Sequence, residues 1–395
     1  MKWQPTKGPR RSRQQPRLEV GASLQVEIVD LNSRGEGVAR HHGQVVFVPG
    51  VWLGEHVQIV ITGRQKSYAQ GRVEALVQAH QDRREAPCAV HGFDSGHCGG
   101  CAWLFMAYSA QLEVKQKRVQ ALCDHKRWPV AKPIQSSGQE LGYRNRAQFK
   151  ATSDALGFVA ASSDAVVDVT HCPVLSDHNN ELLHQIRQQD LAIGKRRKRW
   201  LTIDIEDGLT LEQVSYNQRL PFRQGNTAQN EWMQSWLRQQ VSSLPRGLAT
   251  LELFAGSGNF THELVAAGVG PLVAAEVSTE ALEKLAASLP EVTALELDLI
   301  GGLSCEQIAD ALPNAELLVL DPPREGFASL PALVDSLSHL QWIVYISCDL
   351  ASFQRDVEGL DPQFELIELQ PIDLYPQTPH VEVLSVWSRR TSLSG

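Results

Sequence analysis

The 395-residue sequence has no run of 18 consecutive apolar residues, which excludes a hydrophobic transmembrane helix. No apolar stretch follows its basic first segment, MKWQPTKGPRRSRQQPR, so a secretory signal is not expected and the cytoplasm is the expected address. Seven cysteines, an odd number without an export signal, speak against a disulfide framework and for metal or catalytic use. No internal repeat is visible. With 43% hydrophobic and 21% charged residues the chain is neither disordered nor collagen-like, and its length predicts two to four domains. Acids are absent from residues 1–17, which hold six Lys and Arg. Bases are scarce from Arg246 onward, where 6 face 22 acids; before it, 31 bases face 23 acids. The net charge of −8 therefore hides a basic front and an acidic back. That asymmetry suits a front that binds a polyanion, or simply two solvated surfaces of opposite sign.

The chain reads as multidomain. Residues 1–17 form a basic, proline-containing flexible arm. Residues 18–79 hold short alternating strands (LQVEIVDL, GQVVFVPG, HVQIVITGR, GRVEALVQ) punctuated by glycines, which predicts a small OB-like β-barrel. Residues 80–235 predict a central α+β domain. It opens with a Cys-rich segment and continues with an amphipathic helix over 102–127, expected to pack on the last domain. A mostly antiparallel sheet follows over 134–222, interrupted by the basic run GKRRKRW at 194–200. From 236 to 395 near-continuous apolar strands alternate with helices, which predicts a doubly wound α/β domain.

Three segments of that last domain carry chemistry. TLELFAGSGNF runs from a strand through Gly256 and Gly258 into a helix, so a ligand can approach the backbone closely, and Glu276 ends the next strand where a carboxylate can bind ribose hydroxyls. Thr261 stands where a third dinucleotide-loop glycine is expected, and no Walker lysine follows, so NAD and nucleotide triphosphates are disfavoured. The pattern resembles the S-adenosylmethionine loop of class I methyltransferases. Asp321-Pro322-Pro323-Arg324 and Cys348 end the strands ELLVL and WIVYIS, on the edge where open α/β sheets bind ligands. A cysteine there is a candidate nucleophile.

Taken together, Phe222-Arg223-Gln224-Gly225-Asn226, Leu253–Phe260, Asp321–Arg324, Ile346-Ser347-Cys348-Asp349 and Pro376-Gln377-Thr378 through Glu382 resemble the RNA (uracil-5-)-methyltransferase family. The similarity spans residues 20–390, and the front barrel resembles a TRAM domain. The resemblance implies that Gln224, Phe254, Asn259, Glu276 and Asp321 contact S-adenosylmethionine, with Asp298 as a further contact. It implies that Cys348 is the nucleophile and Glu382 the base. Cys348 would add to C6 of a uridine, C5 would take the methyl group, and Glu382 would remove the C5 proton so that the thiol can leave. Arg324 stands where RNA cytosine-5 methyltransferases carry a second cysteine, which favours uracil. Ala255, Leu350 and Ser352 depart from the family's usual residues.

Cys88, Cys98 and Cys101 form C-x9-C-x2-C, with Cys172-Pro173 far downstream. Four thiolates could bind zinc or an iron–sulfur cluster. The ribosomal-RNA branch of the family carries a [4Fe–4S] cluster on C-x5-C-x2-C and a distant Cys-Pro, so the resemblance implies that cluster here, with FDSG inserted in the first gap. His91 and His97 keep zinc as the alternative. Cys123 and Cys305 read as ordinary packed thiols. The expected activity is S-adenosylmethionine-dependent 5-methyluridine formation in structured RNA, foremost 23S ribosomal RNA, by a monomer that flips its target base into the site. Arg144, Arg146 and the basic runs would hold the RNA backbone, and Phe149 or Phe222 would stack the base. Two alternatives are the same chemistry on transfer RNA, and a non-catalytic RNA-binding assembly factor on a methyltransferase scaffold.

Overall fold

A computed structural model describes residues 18–191, 200–301 and 305–390. The expected arm at 1–17 and the basic positions of the 194–200 run, Lys195 to Arg199, lie outside the described residues. The chain divides into two compact units, 1–85 and 86–395.

The first unit is a closed barrel of β1 (Ser23–Leu31), β2 (Gly37–His41), β3 (Gln44–Val48), β4 (His56–Arg64) and β5 (Tyr68–Gln78), in the order β1-β2-β3-β5-β4. Period-two alternation makes it. Val57, Ile59 and Ile61 of β4 point inward with Val26 and Ile28 of β1, while intervening residues face out. A Cβ on Gly37 would lie 2.3 Å from Cγ2 of Val51, so this close approach requires glycine. The fully buried Glu55 closes the unit. It accepts hydrogen bonds from the Trp52 and His80 amides and from the Arg83 guanidinium. Burial alone would raise its pKa, but those donors outweigh it and hold the carboxyl below its ordinary value.

In the second unit, α1 (Tyr108–Lys126) precedes an antiparallel sheet of β6 (Arg146–Ala151), β7 (Leu156–Val159), β8 (Val166–Asp168), β9 (Leu201–Glu206) and β10 (Ser215–Tyr216), ordered β10-β9-β6-β7-β8. Its inner face, Ala147, Phe149, Ala151, Ile203 and Ile205, packs with Leu182, Leu183 and Ile186 of α2 (Asp177–Arg187). Then α3 (Thr227–Ser242) crosses residue 235, placing Met233, Trp236 and Leu237 against the larger sheet. That sheet comprises β11 (Thr250–Leu253), β12 (Leu272–Glu276), β13 (Thr293–Glu296), β14 (Leu317–Leu320), β15 (Trp342–Ser347), β16 (Phe364–Ile372) and β17 (Glu382–Arg389), ordered β13-β12-β11-β14-β15-β17-β16. Six strands run in one direction, and β17 inserts antiparallel between β15 and β16. The remaining helices are α4 (Thr261–Ala267), α5 (Thr279–Ser288), α6 (Cys305–Ala309), α7 (Leu330–Ser336) and α8 (Leu350–Asp356). Successive residues of β14 serve opposite cores: Leu318 and Leu320 face one layer, Leu317 and Val319 the other. The strand order reverses between β11 and β14, which opens the crevice where such sheets bind ligands.

One expected element differs. The helix expected over 102–127 begins only at Tyr108, because Trp103, Leu104, Phe105 and Met106 are buried in a preceding loop. Its inward face is not an apolar stripe: Gln111 and Lys115 are buried beside Val119 and Cys123. No helix among the described residues is long and apolar enough to cross a membrane.

Candidate active site

The loop after β11 is shaped by its backbone. Phe254, Gly256 and Gly258 have φ of 63°, 56° and 97°, and the Gly256 amide donates to Glu276 at the end of β12, 3.1 Å away. The other Glu276 oxygen accepts from the amides of Val277 and Ser278. Glu276 thus fixes the loop while standing at the carboxyl edge of its strand, where the sequence places it. Phe254 packs edge-on against Phe327, with centroids 5.7 Å apart.

Asn259 is held by α3. Its amide pairs reciprocally with Asn230 at 2.9 Å and accepts from Gln234. Asn226 caps α3 and donates to the Leu374 carbonyl, and Gln229 donates to the Asp373 carbonyl at 2.8 Å. The Asn226–Asn230 amides therefore join the β11 loop to the segment before Glu382. Gln224 lies half-buried ahead of α3, its carbonyl bound by the Asn145 amide. Asp298 is exposed and accepts from the Ile300 and Gly301 amides, the posture of a turn cap.

Strand register joins the catalytic candidates. Antiparallel pairing sets Ser347 of β15 opposite Val383 of β17, so the next step brings Cys348 alongside Glu382. Asp321, at the end of β14 beside β15, completes the row. Burial, then the charges of Glu382 and Asp321, push the Cys348 thiol up to about 12, opposed by Arg324. Burial, then Asp321, raises Glu382 to about 8, again opposed by Arg324. Burial alone raises Asp321 to about 7. Arg324 lies 3.2 Å from Nε2 of His380, and burial followed by the Arg324 charge lowers His380 to about 4, leaving a neutral imidazole to accept that bond. Three acidic groups crowded around one arginine make a site suited to a cationic ligand, since a cation favours each ionised form.

Asp356 ties this site from behind. Fully buried, it accepts from the Tyr345 hydroxyl at 2.7 Å and the Phe327 amide at 2.6 Å, linking β15 to the loop that bears Arg324.

The four cysteines also come together. Cys88, Cys98, Cys101 and Cys172 line one small cavity with Val90, His91, Leu104 and Phe158. Burial and mutual charge raise Cys98, Cys101 and Cys172. The amides of Gly100, Val174 and Leu175 bond the sulfurs of Cys98 and Cys172, the pattern that supports buried thiolates. The FDSG insertion folds as its own turn: Asp94 accepts from the Gly96 amide and pairs with His97 at 2.6 Å. Among the described residues no three His, Cys, Asp or Glu side chains are placed around a single metal ion.

Other expectations change. Phe149 is fully buried against Phe158 and cannot stack a base. Phe222 is 75% exposed. Arg146 is occupied by Asp204 and by the carbonyls of Leu220 and Pro221, so it supports the Phe222 segment from beneath. Arg144 stands over the Tyr375 ring at 5.9 Å. Missing from the sequence candidates were Gln111, Lys115 and Asp373, and Gln377 entered only within a motif and without a role; all four are fully buried around the loop that precedes Glu382. The spacing of Gln111 and Lys115, i and i+4 on one helix, was the available signal.

Residues 17–73 match the TRAM domain family. The chain is 34% identical to an uncharacterized RNA methyltransferase of Nitrosomonas europaea, over 93% of this chain and 97% of that protein. It is 29% identical to the 23S rRNA (uracil(1939)-C(5))-methyltransferase RlmD of Halomonas elongata, over 94% of this chain and 92% of that protein. The fold is similar to that of the Pyrococcus abyssi tRNA (uracil-54, C5)-methyltransferase solved with S-adenosyl-L-homocysteine. The TM-score is 0.67 at 21% identity, covering 92% of this chain and all of the other.

Proposed function

This chain belongs to the RNA methyltransferase family, and from that premise we propose that it methylates C5 of a uridine in structured RNA, foremost 23S ribosomal RNA, through a covalent bond from Cys348 to C6. The observation that carries the proposal is the β15–β17 register, which sets one cysteine beside one carboxylate at the ligand-binding edge of the sheet. S-adenosylmethionine supplies the methyl group as an electrophile on a cationic sulfur. Glu276, Phe254 and the Gly256–Asn259 loop hold it, with Gln224, Asp298 and Asp321 as further contacts. Asp321 and Glu382, both raised by burial, would offer its sulfonium a pair of carboxylates. The Cys348 sulfur adds to C6 of the uridine, and C5 becomes nucleophilic as electron density moves to O4. After C5 gains the methyl group, Glu382 takes the C5 proton, the C5–C6 double bond reforms, and the sulfur leaves as thiolate. Arg324, poised by neutral His380, offsets the negative charge that builds in the pocket. Phe222, 75% exposed, offers a stacking face for RNA.

Methyl-labelled S-adenosylmethionine and unmodified total RNA test this together. Label is expected in 5-methyluridine from 23S RNA. Label in transfer RNA would change the substrate and keep the chemistry. Label in 5-methylcytidine, or none at all, would overturn the proposal.

The cysteine cavity fits an iron–sulfur cluster better than a lone ion. Four thiols share an apolar cavity, and backbone amides bond the sulfurs of Cys98 and Cys172. Cys88, Cys98, Cys101 and Cys172 would hold the cluster. Methyl transfer to C5 is redox-neutral, so its part is structural. Anaerobically purified protein is expected to carry about four iron and four sulfide per chain. A Cys172→Ser variant is expected to lose most of both. Stoichiometric zinc without sulfide would sink the cluster.

A further inference from the structure

The hairpin from β16 to β17 turns through residues 373–381, and Glu382 is its first paired residue, opposite Ile372. No regular secondary structure fixes those nine residues. We infer that one face of α1, formed by Gln111, Lys115 and Arg118 at i, i+4 and i+7, is a splint that holds this loop and thereby positions Glu382 for proton abstraction; the inference rests on the proposed role of Glu382 as base.

The contacts run along the helix in order. Arg118 donates to the Pro379 carbonyl at 3.2 Å. Lys115 pairs with Asp373 at 2.6 Å, both side chains fully buried, and also donates to the Tyr375 carbonyl at 3.3 Å. Gln111 and Gln377 form a reciprocal amide pair: the Gln111 side chain donates to the Gln377 side chain at 2.8 Å and accepts from its backbone amide at 2.9 Å. The Gln377 carbonyl accepts from the Trp103 amide at 3.0 Å. Gln377 has φ of 68°, an unfavoured region for a residue with a Cβ, so its surroundings impose the conformation. Gln111 is fixed in turn by the carbonyls of Trp103 and Met106.

Stability does not explain this choice of residues. A buried ion pair gains little over well-packed apolar side chains, whereas it specifies one geometry. An apolar stripe would cover the loop equally well and leave it free to slide. Proton transfer punishes sliding, since a displacement of about 1 Å can cost ~10²-fold in rate.

The test uses the full chain, the RNA species that the wild-type enzyme methylates, and three variants: Gln111→Leu, Lys115→Met, and the double variant Lys115→Met with Asp373→Asn. The double variant leaves no unpaired buried charge, so it folds even where Lys115→Met alone does not. Gln111→Leu and the double variant are expected to bind S-adenosylhomocysteine as wild type does and to keep KM for RNA. Their kcat is expected to fall ~10²-fold, while a Cys348–RNA adduct accumulates at steady state on a denaturing gel. A kcat loss no larger than the loss of folded protein, or a loss without adduct, overturns the splint. If Glu382→Gln accumulates no adduct, the base assignment falls and the splint with it. If Glu382→Gln does and the α1 variants do not, only the splint falls.

Discussion

Cys348→Ala is expected to bind RNA and S-adenosylmethionine as wild type does and to lose methyl transfer by at least ~10⁴-fold, the scale of removing a covalent nucleophile. The loss is large because C5 of uracil is a weak nucleophile until a group adds at C6. Nothing else on the sheet edge replaces the thiol. Glu382 and Asp321 are carboxyls, and Ser347 is turned inward, 2% exposed, with its hydroxyl donating to the Asp349 carbonyl. The free site holds the thiol near 12, mainly by burial and then by Glu382 and Asp321, so the sulfur is protonated at neutral pH. A cation placed against those carboxylates lowers that value, so under the proposed mechanism addition to C6 would depend on the bound sulfonium. Single-turnover assays with labelled methyl donor, alongside filter binding, check the prediction. Loss of RNA binding in the variant would indicate a binding role for Cys348, and retained methylation would reject thiol addition.

The sequence makes the barrel legible because one rule suffices there. Val57, Ile59 and Ile61 alternate inward, and the neighbouring strands do the same. The same rule, applied in phase, would have corrected Phe149. Ala147, Phe149 and Ala151 share the buried face of β6, while Arg146, Gln148 and Lys150 take the other. Cys348 is legible as the end of an apolar strand. Glu382 is not, since a glutamate opening a strand has no local mark; only resemblance to a family singles it out. Their meeting depends on β17 running antiparallel between β15 and β16, a choice of pairing that no local periodicity encodes. The face of α1 was misread for a related reason. Gln111 and Lys115 look like solvent positions until Gln377 and Asp373, more than 250 residues away, are brought against them. The four cysteines, less distant in the chain, could be singled out together because their residue type already restricts what they can do, and they line one cavity.

Glu382→Gln is expected to stop turnover by about 10³-fold while accumulating a covalent RNA–protein adduct on natural RNA. The amide matches the carboxyl in shape, so addition and methyl transfer proceed; it cannot accept the C5 proton, so the Cys348–C6 bond does not break. Wild-type enzyme should give the same adduct on RNA containing 5-fluorouridine, because fluorine cannot leave as a proton. Burial, then Asp321, raises Glu382 to about 8, so its basic form gains as pH rises through that value, and wild-type elimination should accelerate over the same range. The sign for stability is the opposite. An acid whose folded pKa lies above its unfolded value, about 4.3, contributes stability below that value and loses it as pH climbs toward the folded pKa. Wild-type protein therefore gives up stability between about pH 4.3 and 8 by keeping an ionisable carboxyl in a buried site, and the glutamine variant has nothing to ionise. Melting curves should nearly coincide for the two proteins at pH 5 and favour Glu382→Gln at pH 8.5, with the adduct band as the kinetic counterpart. Free turnover by the variant would remove Glu382 from the base role. Equal melting at both pH values would show that its carboxyl is not held neutral by burial.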